Sequence, residues 1–555
     1  MFDKRKFRRR VLRVLGVFLL LMLVGVLYIL VVSKTNPPKI ADNSSLRWQR
    51  TENAPDFYSL KSSWFRKSES GLYELYVEGN PYERGVVNGK LTKELLQKQE
   101  EYFNDQIQKM IPSTFYLHFL KYFVGWFNRD LDKYIAPEYK EEIYGVSASA
   151  SDKYNYIGSN YQRILNYHAA HDIGHALQNL ALVGCTSFGT WGGKSADSNM
   201  IIGRNFDFYV GDHFSENKIV AFVNPSQGHK FMSVTWGGFI GVVSGMNDKG
   251  LTVTINAAKS SIPTGSATPV SLVAREILQY AENIREAEAI AKKRKMFVSE
   301  SFLVGSAEDG KAVIIEKTPD SMAVYDPNKN YIICANHFQS KGLGKLKSNQ
   351  MQIKESASEY RYQRLQELLD ATQQNTVQKT VAILRDRRGM HNADIGLGNE
   401  KAINQFIAHH SIVFEPKKGL VWVSTSPWQL GKYVCYDLNK VFSLAGMKTN
   451  REISDSHLDV PADPLLLTPL YQDLLRFRKY KEDVVDGRPV NPDSLINSNP
   501  DFYQSYELVG NEFFKRKNYF KAIAYYRQAL TKEIATKGEE NYIRNQIKKA
   551  EAKAK

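Results

Sequence analysis

Gly184-Cys185-Thr186-Ser187-Phe188, followed about twenty positions on by Gly203-Arg204-Asn205-Phe206-Asp207-Phe208, is the stretch that decides how the rest of the chain is read. A lone cysteine between glycine and threonine can act on its own backbone. Glycine tolerates the strained conformation that a nitrogen-to-sulfur acyl shift needs. Hydrolysis of the thioester would then cut between Gly184 and Cys185 and leave the cysteine as a new chain start. The freed α-amine, with a reference pKa of about 8, takes up the thiol proton near neutral pH, so nucleophile and base come from one residue. Asp207 is expected to orient that amine by accepting a hydrogen bond from it. Arg204 is expected to keep Asp207 ionised and to assist the thiolate. The competing reading of Arg204 and Asp207 is a structural salt bridge on neighbouring strand positions.

The remaining cysteines, Cys334 and Cys435, sit in apolar runs and read as small buried hydrophobes. Three cysteines without a C-x-x-C pair supply neither a disulfide framework nor a metal knuckle. The chain's 555 residues exceed one ordinary core, so a large domain with appendages is expected. A net charge of +15 invites a nucleic-acid reading, but residues 1–13 contribute +6 and residues 501–555 contribute +5. The basic balance is therefore mostly an end effect, and no nucleic-acid partner is expected.

Seven Lys/Arg in residues 1–13 precede an uncharged run from Val14 to Val32. As a helix this run approaches the thickness of a bilayer. The preceding cations orient it with the N-terminus in the cytoplasm. Residues 1–13 thus read as a basic cytoplasmic segment and residues 14–33 as an uncleaved single-pass anchor in the cytoplasmic membrane, with the catalytic body on the extracytoplasmic side. A cleaved signal peptide is the rival, although Val31-Val32-Ser33 is a poor exit site. Residues 34–60, with Pro37-Pro38 and Pro55, read as a linker, 61–455 as the catalytic domain, and 456–500 as a second linker. In residues 501–555, Tyr506, Gly510, Phe513, Ala522, Tyr526 and Ala529 take the spacing of one tetratricopeptide-type (TPR-like) helical hairpin. One copy cannot bury its own face, so it should pack on the catalytic domain or on a protein partner.

Within the catalytic region, Tyr116, Phe119, Tyr122, Phe123 and Trp126 follow near-helical spacing and read as core, or else as a wall for an acyl chain or the membrane. His168, His171 and His175 fall at i, i+3 and i+7 of one helical face. That spacing can bind zinc, and a zinc hydrolase is one rival reading. After Cys185 the chain turns strand-rich. Runs at 218–223, 231–236, 239–244 and 251–256 alternate with Asn-Pro, Gly-Gly and Asn-Asp-Lys-Gly turns, a helix is expected over 271–295, and further strands follow near 302–304, 312–317 and 331–335. The pattern predicts an α+β class.

The sequence resembles the acyl-coenzyme A:6-aminopenicillanic acid acyltransferase (peptidase C45) family of N-terminal nucleophile (Ntn) hydrolases, which is related to choloylglycine hydrolases and acid ceramidase-type amidases. Gly79-Asn80-Pro81-Tyr82-Glu83-Arg84-Gly85 matches the family's N-terminal signature and Gly184-Cys185-Thr186 its processing site. The segments Gly203 to Phe208, Gly245 to Leu251, Ala335-Asn336-His337-Phe338 and His410 to Pro416 follow in the family's order. The resemblance implies a four-layer αββα sandwich. It also implies oxyanion or substrate-amide roles for Asn256 and Asn336, and places an arginine near the nucleophile that corresponds to Arg361 or Arg364. The Cys185-to-Asp207 spacing is slightly longer than the family's. The anchor and helical tail are additions, so the penicillin-related substrate is not carried across.

These readings point to a self-processing cysteine amidohydrolase or acyltransferase without a cofactor or metal, acting on a small-molecule or lipid N-acyl amide. Acyl-coenzyme A is not expected outside the cytoplasm, which favours hydrolysis. The alternative is a non-enzymatic membrane-anchored Ntn-like scaffold.

Overall fold

A computed structural model describes residues 4–554 except 111–112, 114–120, 123, 178–183, 209–210 and 260–264. Tyr116, Phe119 and Phe123 lie outside the described residues, as do the side chains of His171 and His175.

Helix Lys4–Val32 opens the chain, and its portion Arg10–Val32 is long and apolar enough to cross a membrane. From Val11 to Val31 its leucines and valines are exposed. Seventeen strands follow among the described residues. They are β1 (Thr51–Ala54), β2 (Phe57–Leu60), β3 (Ser63–Lys67), β4 (Tyr73–Gly79), β5 (Thr186–Thr190), β6 (Ile201–Phe206), β7 (Ile219–Pro225), β8 (Phe231–Thr235) and β9 (Ser244–Asn247). They continue with β10 (Leu251–Ala257), β11 (Glu300–Ser306), β12 (Lys311–Lys317), β13 (Met322–Tyr325), β14 (Tyr331–Cys334), β15 (His410–Glu415), β16 (Leu420–Ser424) and β17 (Tyr433–Asp437). One sheet has the order β1-β2-β3-β4-β7-β8-β9-β10-β11-β12-β13 and the other β14-β5-β6-β15-β16-β17. Every pairing is antiparallel except β4 with β7.

Alternate residues along a strand face opposite sides, and here they enter different cores. Leu75, Val77, Val253 and Ile255 of the first sheet share a core with Val87, Ile143, Ile164 and Ile277 from helices. Tyr76, Phe222, Met232 and Ile314, on the other face of that sheet, pack with Ile202, Ile412, Phe414 and Val423 of the second. Phe188, Val413 and Trp422, on the far face of the second sheet, meet Leu365 and Leu369 of helix Ser358–Ala371 and Val381 of helix Val377–Leu384.

The Gly79–Gly85 signature serves this packing. A Cβ on Gly85 would lie 2.0 Å from the Glu142 carbonyl oxygen, so only glycine lets helices Pro81–Leu91 and Pro137–Ser147 touch there. Arg84 and Arg275 both pair with buried Glu142 at the same contact.

Several expected boundaries differ. Residues 51–60, assigned to a linker, form β1 and β2; these strands are only four residues long and turn at Asp56 and Lys61, both with positive φ, so composition resembles a linker. The strand expected over 239–244 begins only at Ser244. In the preceding loop Ile240 N–H donates to His168 and its carbonyl accepts from Arg275, so side chains satisfy what a ladder would. The helix expected over 271–295 is two, Val270–Tyr280 and Ile284–Lys293, the second capped by Asn283. The stretch 456–500 contains helices Pro469–Val485 and Pro492–Ser498. Phe477, Val484 and Leu495 from those helices share a core with Val509, Ala522 and Tyr526 of helices Tyr503–Lys515 and Tyr519–Ala529. The added helices bury the face that a lone hairpin would expose.

Candidate active site

Cys185 sits immediately before β5, and its neighbour Gly184 donates its N–H to the Asp207 carbonyl at 3.0 Å, which extends the β5–β6 ladder by one step. Arg204 on β6 and Asp207 just past its end are thereby brought to the cysteine. Arg204 Nη2 lies 3.5 Å from Cys185 Sγ. The same guanidinium donates to the Val243 carbonyl at 2.7 Å, to Ser244 Oγ and to the Ile255 carbonyl, and stacks 4.4 Å from the Phe206 ring centroid. It is a buried cation fixed to backbone of the first sheet.

The thiol is 1 % exposed, and burial pushes it up to about 11 despite the neighbouring Arg204. The Cys185 thiol is therefore protonated at neutral pH. Burial likewise raises the Asp207 carboxyl to about 7, with Arg361 and Arg204 pulling it back. Neither of its carboxylate oxygens has a hydrogen-bond partner among the described residues. An unpaired buried carboxylate costs free energy unless a cation reaches it.

Arg361 and Arg364 separate cleanly. Arg361 Nη1 donates to the Cys185 carbonyl at 2.7 Å and to Thr186 Oγ1 at 2.6 Å, and its Nη2 donates to Asn336 Oδ1 at 2.9 Å. Arg364 instead pairs with Asp386 at 2.9 Å, Glu367 at 3.1 Å and Asn392 at 2.7 Å, and no contact joins it to Cys185 among the described residues. The two asparagines also converge. Asn256 accepts from Ser187 Oγ at 2.9 Å and donates to the Cys334 carbonyl at 3.0 Å; Asn336 donates to the Ala257 carbonyl at 2.9 Å. Each amide spends one N–H on backbone, and an amide nitrogen carries two.

His337 is held by Ser358 at 2.8 Å and stays neutral, its value lowered to about 4 by burial. His168 uses Nδ1 on the Ile164 carbonyl at 2.8 Å and Nε2 on Ile240 N–H at 2.9 Å, leaving no nitrogen for zinc. Among the described residues no group of three or more His, Cys, Asp or Glu is placed to hold a metal. Cys334 and Cys435 are fully buried.

A second layer, which no local sequence pattern marks, lies behind Arg204. Ser244 Oγ lies 2.8 Å from His410 Nε2, and His410 Nδ1 lies 2.9 Å from His409 Nδ1, both imidazoles kept neutral chiefly by burial. Gln405, also unmarked in the sequence, donates to the Gly184 carbonyl at 2.8 Å. A serine or glutamine carries no local signal of such a role; only the His409-His410 doublet stands out.

Comparison with known proteins gives distant relatives. The chain is 27% identical over 277 residues to an uncharacterized protein of Archaeoglobus fulgidus, covering 46% of this chain and 45% of that one. It is 23% identical over 271 residues to protein dcd1B of Dictyostelium discoideum, covering 45% and 51%. The chain thus spans about half the length of the curated relatives it matches. Among solved structures, the Caenorhabditis elegans N-acylethanolamine-hydrolyzing acid amidase ortholog aligns with a TM-score of 0.30 and 19% identity, over 42% of this chain and 93% of that one. A conjugated bile acid hydrolase from Clostridium perfringens aligns with a TM-score of 0.33 and 14% identity, over 49% and 96%. Residues 192–426, a span that begins just after Cys185 and takes in Arg204, Asp207, Asn256, Asn336 and Arg361, match the family model of acyl-coenzyme A:6-aminopenicillanic acid acyl-transferase.

Proposed function

We propose that this protein is a self-processing cysteine Ntn amidohydrolase or acyltransferase that acts on linear N-acyl amides, built on a four-layer αββα sandwich. The layering is supported by the three successive cores, and the chemistry by the family match over residues 192–426. The observation that carries the reading is Asp207: a buried carboxylate with both oxygens unpaired, one residue past the strand that adjoins Cys185. Cutting between Gly184 and Cys185 would free an α-amine beside it, and protonation of that amine would supply the missing cation. That proton would come from the Cys185 thiol, so nucleophile and base come from one residue.

In turnover, Cys185 Sγ attacks the substrate carbonyl while its amine accepts the proton. Arg204 stabilises the thiolate, and the second N–H groups of Asn256 and Asn336 stand ready for the developing oxyanion. The amine returns the proton to the leaving nitrogen, and water or an acceptor amine releases the acyl group. Arg361 holds the Cys185 main chain and Asn336 in register, whereas Arg364 braces the adjacent loop.

The N-terminal helix is proposed as a single-pass anchor with the catalytic body on the extracytoplasmic side. The C-terminal helices, including a TPR-like hairpin, are proposed as a brace on the catalytic body or a partner surface. A panel of N-acyl amides differing in acyl chain and amine tests the activity, with Cys185→Ala as control. Turnover that Cys185→Ala abolishes supports the reading; a panel with no Cys185-dependent turnover favours the scaffold alternative.

A further inference from the structure

We infer that Gln405 is a catalytic residue of self-processing, the donor that stabilises the oxyanion formed on Gly184 when the chain cuts itself; this rests on the self-processing reading above. Gln405 is 3 % exposed and its Nε2 lies 2.8 Å from the carbonyl oxygen of Gly184, the carbonyl of the bond to be broken. A Cβ on Gly184 would meet the Gln405 amide at 2.5 Å, so the glutamine occupies the space that the glycine leaves open. The scissile residue is thus held at both ends, its N–H by the Asp207 carbonyl at 3.0 Å and its carbonyl by Gln405.

The step balances within the chain. Cys185 Sγ bonds to the Gly184 carbonyl carbon, and the oxygen takes up negative charge against Gln405 Nε2–H. The carbon–nitrogen bond then breaks, the thiol proton ends on the departing Cys185 nitrogen, and a thioester remains. Water adds to that thioester, leaving a carboxyl on Gly184 and returning the thiol. A donor already in place on the ground-state carbonyl strengthens as charge develops on it.

The loop that carries Gln405 is stiffened for this. Asn404 N–H donates to the Asp386 carbonyl at 2.8 Å, and Phe406 N–H donates to Asn404 Oδ1 at 3.0 Å. Phe406 is held at a φ of 55°, a left-handed conformation that a bulky residue adopts only when its surroundings impose it. Arg478 from helix Pro469–Val485 supplies part of that restraint by donating to the Phe406 carbonyl at 3.3 Å. Helix Pro469–Val485 is thereby tied to the residue that follows Gln405.

Timed cell-free synthesis of the full chain, read by intact mass, tests the assignment with Gln405→Met and Gln405→Glu. Gln405→Met keeps the volume without the donor and is expected to slow cleavage by about a hundredfold or more, with the thermal midpoint nearly unchanged. Gln405→Glu is expected to be as slow at pH 8 and to recover, relative to the unsubstituted chain, as the pH falls and its carboxyl gains a proton to donate. A purely structural glutamine would give no such recovery. Cleavage of both variants at the unsubstituted rate overturns the assignment while leaving self-processing intact; an unsubstituted chain that never cuts overturns both.

Discussion

Arg361 donates to the backbone carbonyl of Cys185 at 2.7 Å, so helix Ser358–Ala371 grips the main chain of Cys185 rather than its side chain. Its other nitrogen reaches Asn336. Truncating Arg361 would leave the Asn336 and Cys185 oxygens short of a buried donor, a loss of about 1–3 kcal/mol each. Arg361→Ala is expected to lower kcat/KM by a hundredfold or more. Arg364→Ala, which breaks the ties to Asp386 and Glu367, is expected to lower the thermal midpoint while kcat in the surviving folded enzyme changes less than tenfold. Steady-state kinetics beside thermal melts separate the two.

Asp207 gives the uncut protein a characteristic pH dependence. Its carboxyl is raised from 3.8 to about 7 in the folded chain, so between those values the folded state holds a proton that the unfolded state has released. Stability therefore falls as pH rises from about 4 to about 7, by about 4 kcal/mol at most. In Cys185→Ala, which stays uncut, adding Asp207→Asn is expected to lessen that slope by the Asp207 share while the raised Glu74, Glu400 and Glu507 keep the remainder, measured by denaturant unfolding across pH. An unchanged slope would mean that Asp207 is already paired.

Gly184→Ala is expected to slow self-cleavage by at least tenfold. The new methyl group must displace the Gln405 amide, which it would otherwise approach to 2.5 Å. The amide is the far end of a side chain and can move, so the fold should survive with a thermal midpoint near that of Cys185→Ala. Timed intact-mass measurement checks this, and cleavage at the unsubstituted rate would rule out a tight fit at this bond.

Arg204→Lys tests the guanidinium's geometry. One ammonium cannot reach the Val243 and Ile255 carbonyls, Ser244 and the thiol at once. Activity is expected to fall at least a hundredfold and stability by about 2–4 kcal/mol, read by kinetics and denaturant unfolding.

The nearness of Cys185, Arg204 and Asp207 was legible because the three lie close in sequence on or beside two paired strands, where register follows from the hairpin rhythm. Asn256 and Asn336 came through the family resemblance, since an asparagine after a strand is otherwise as readily a turn residue. The choice between Arg361 and Arg364 was not legible. The two lie three residues apart on one helix, both buried, and only the position of the second sheet beneath Arg361 and of Asp386 beside Arg364 decides between them. Gln405 lies 221 residues from the carbonyl it touches, in a loop whose course is set by Phe406, Asp386 and Arg478. No local pattern encodes such a contact.

The most direct measurement is the intact mass, with N-terminal sequencing, of the full-length chain purified in detergent. The account predicts two fragments, the second beginning Cys185-Thr186-Ser187, and a single uncut species for Cys185→Ala. A fully active unsubstituted protein that remains one chain, with Gly184 still joined to Cys185, would contradict it.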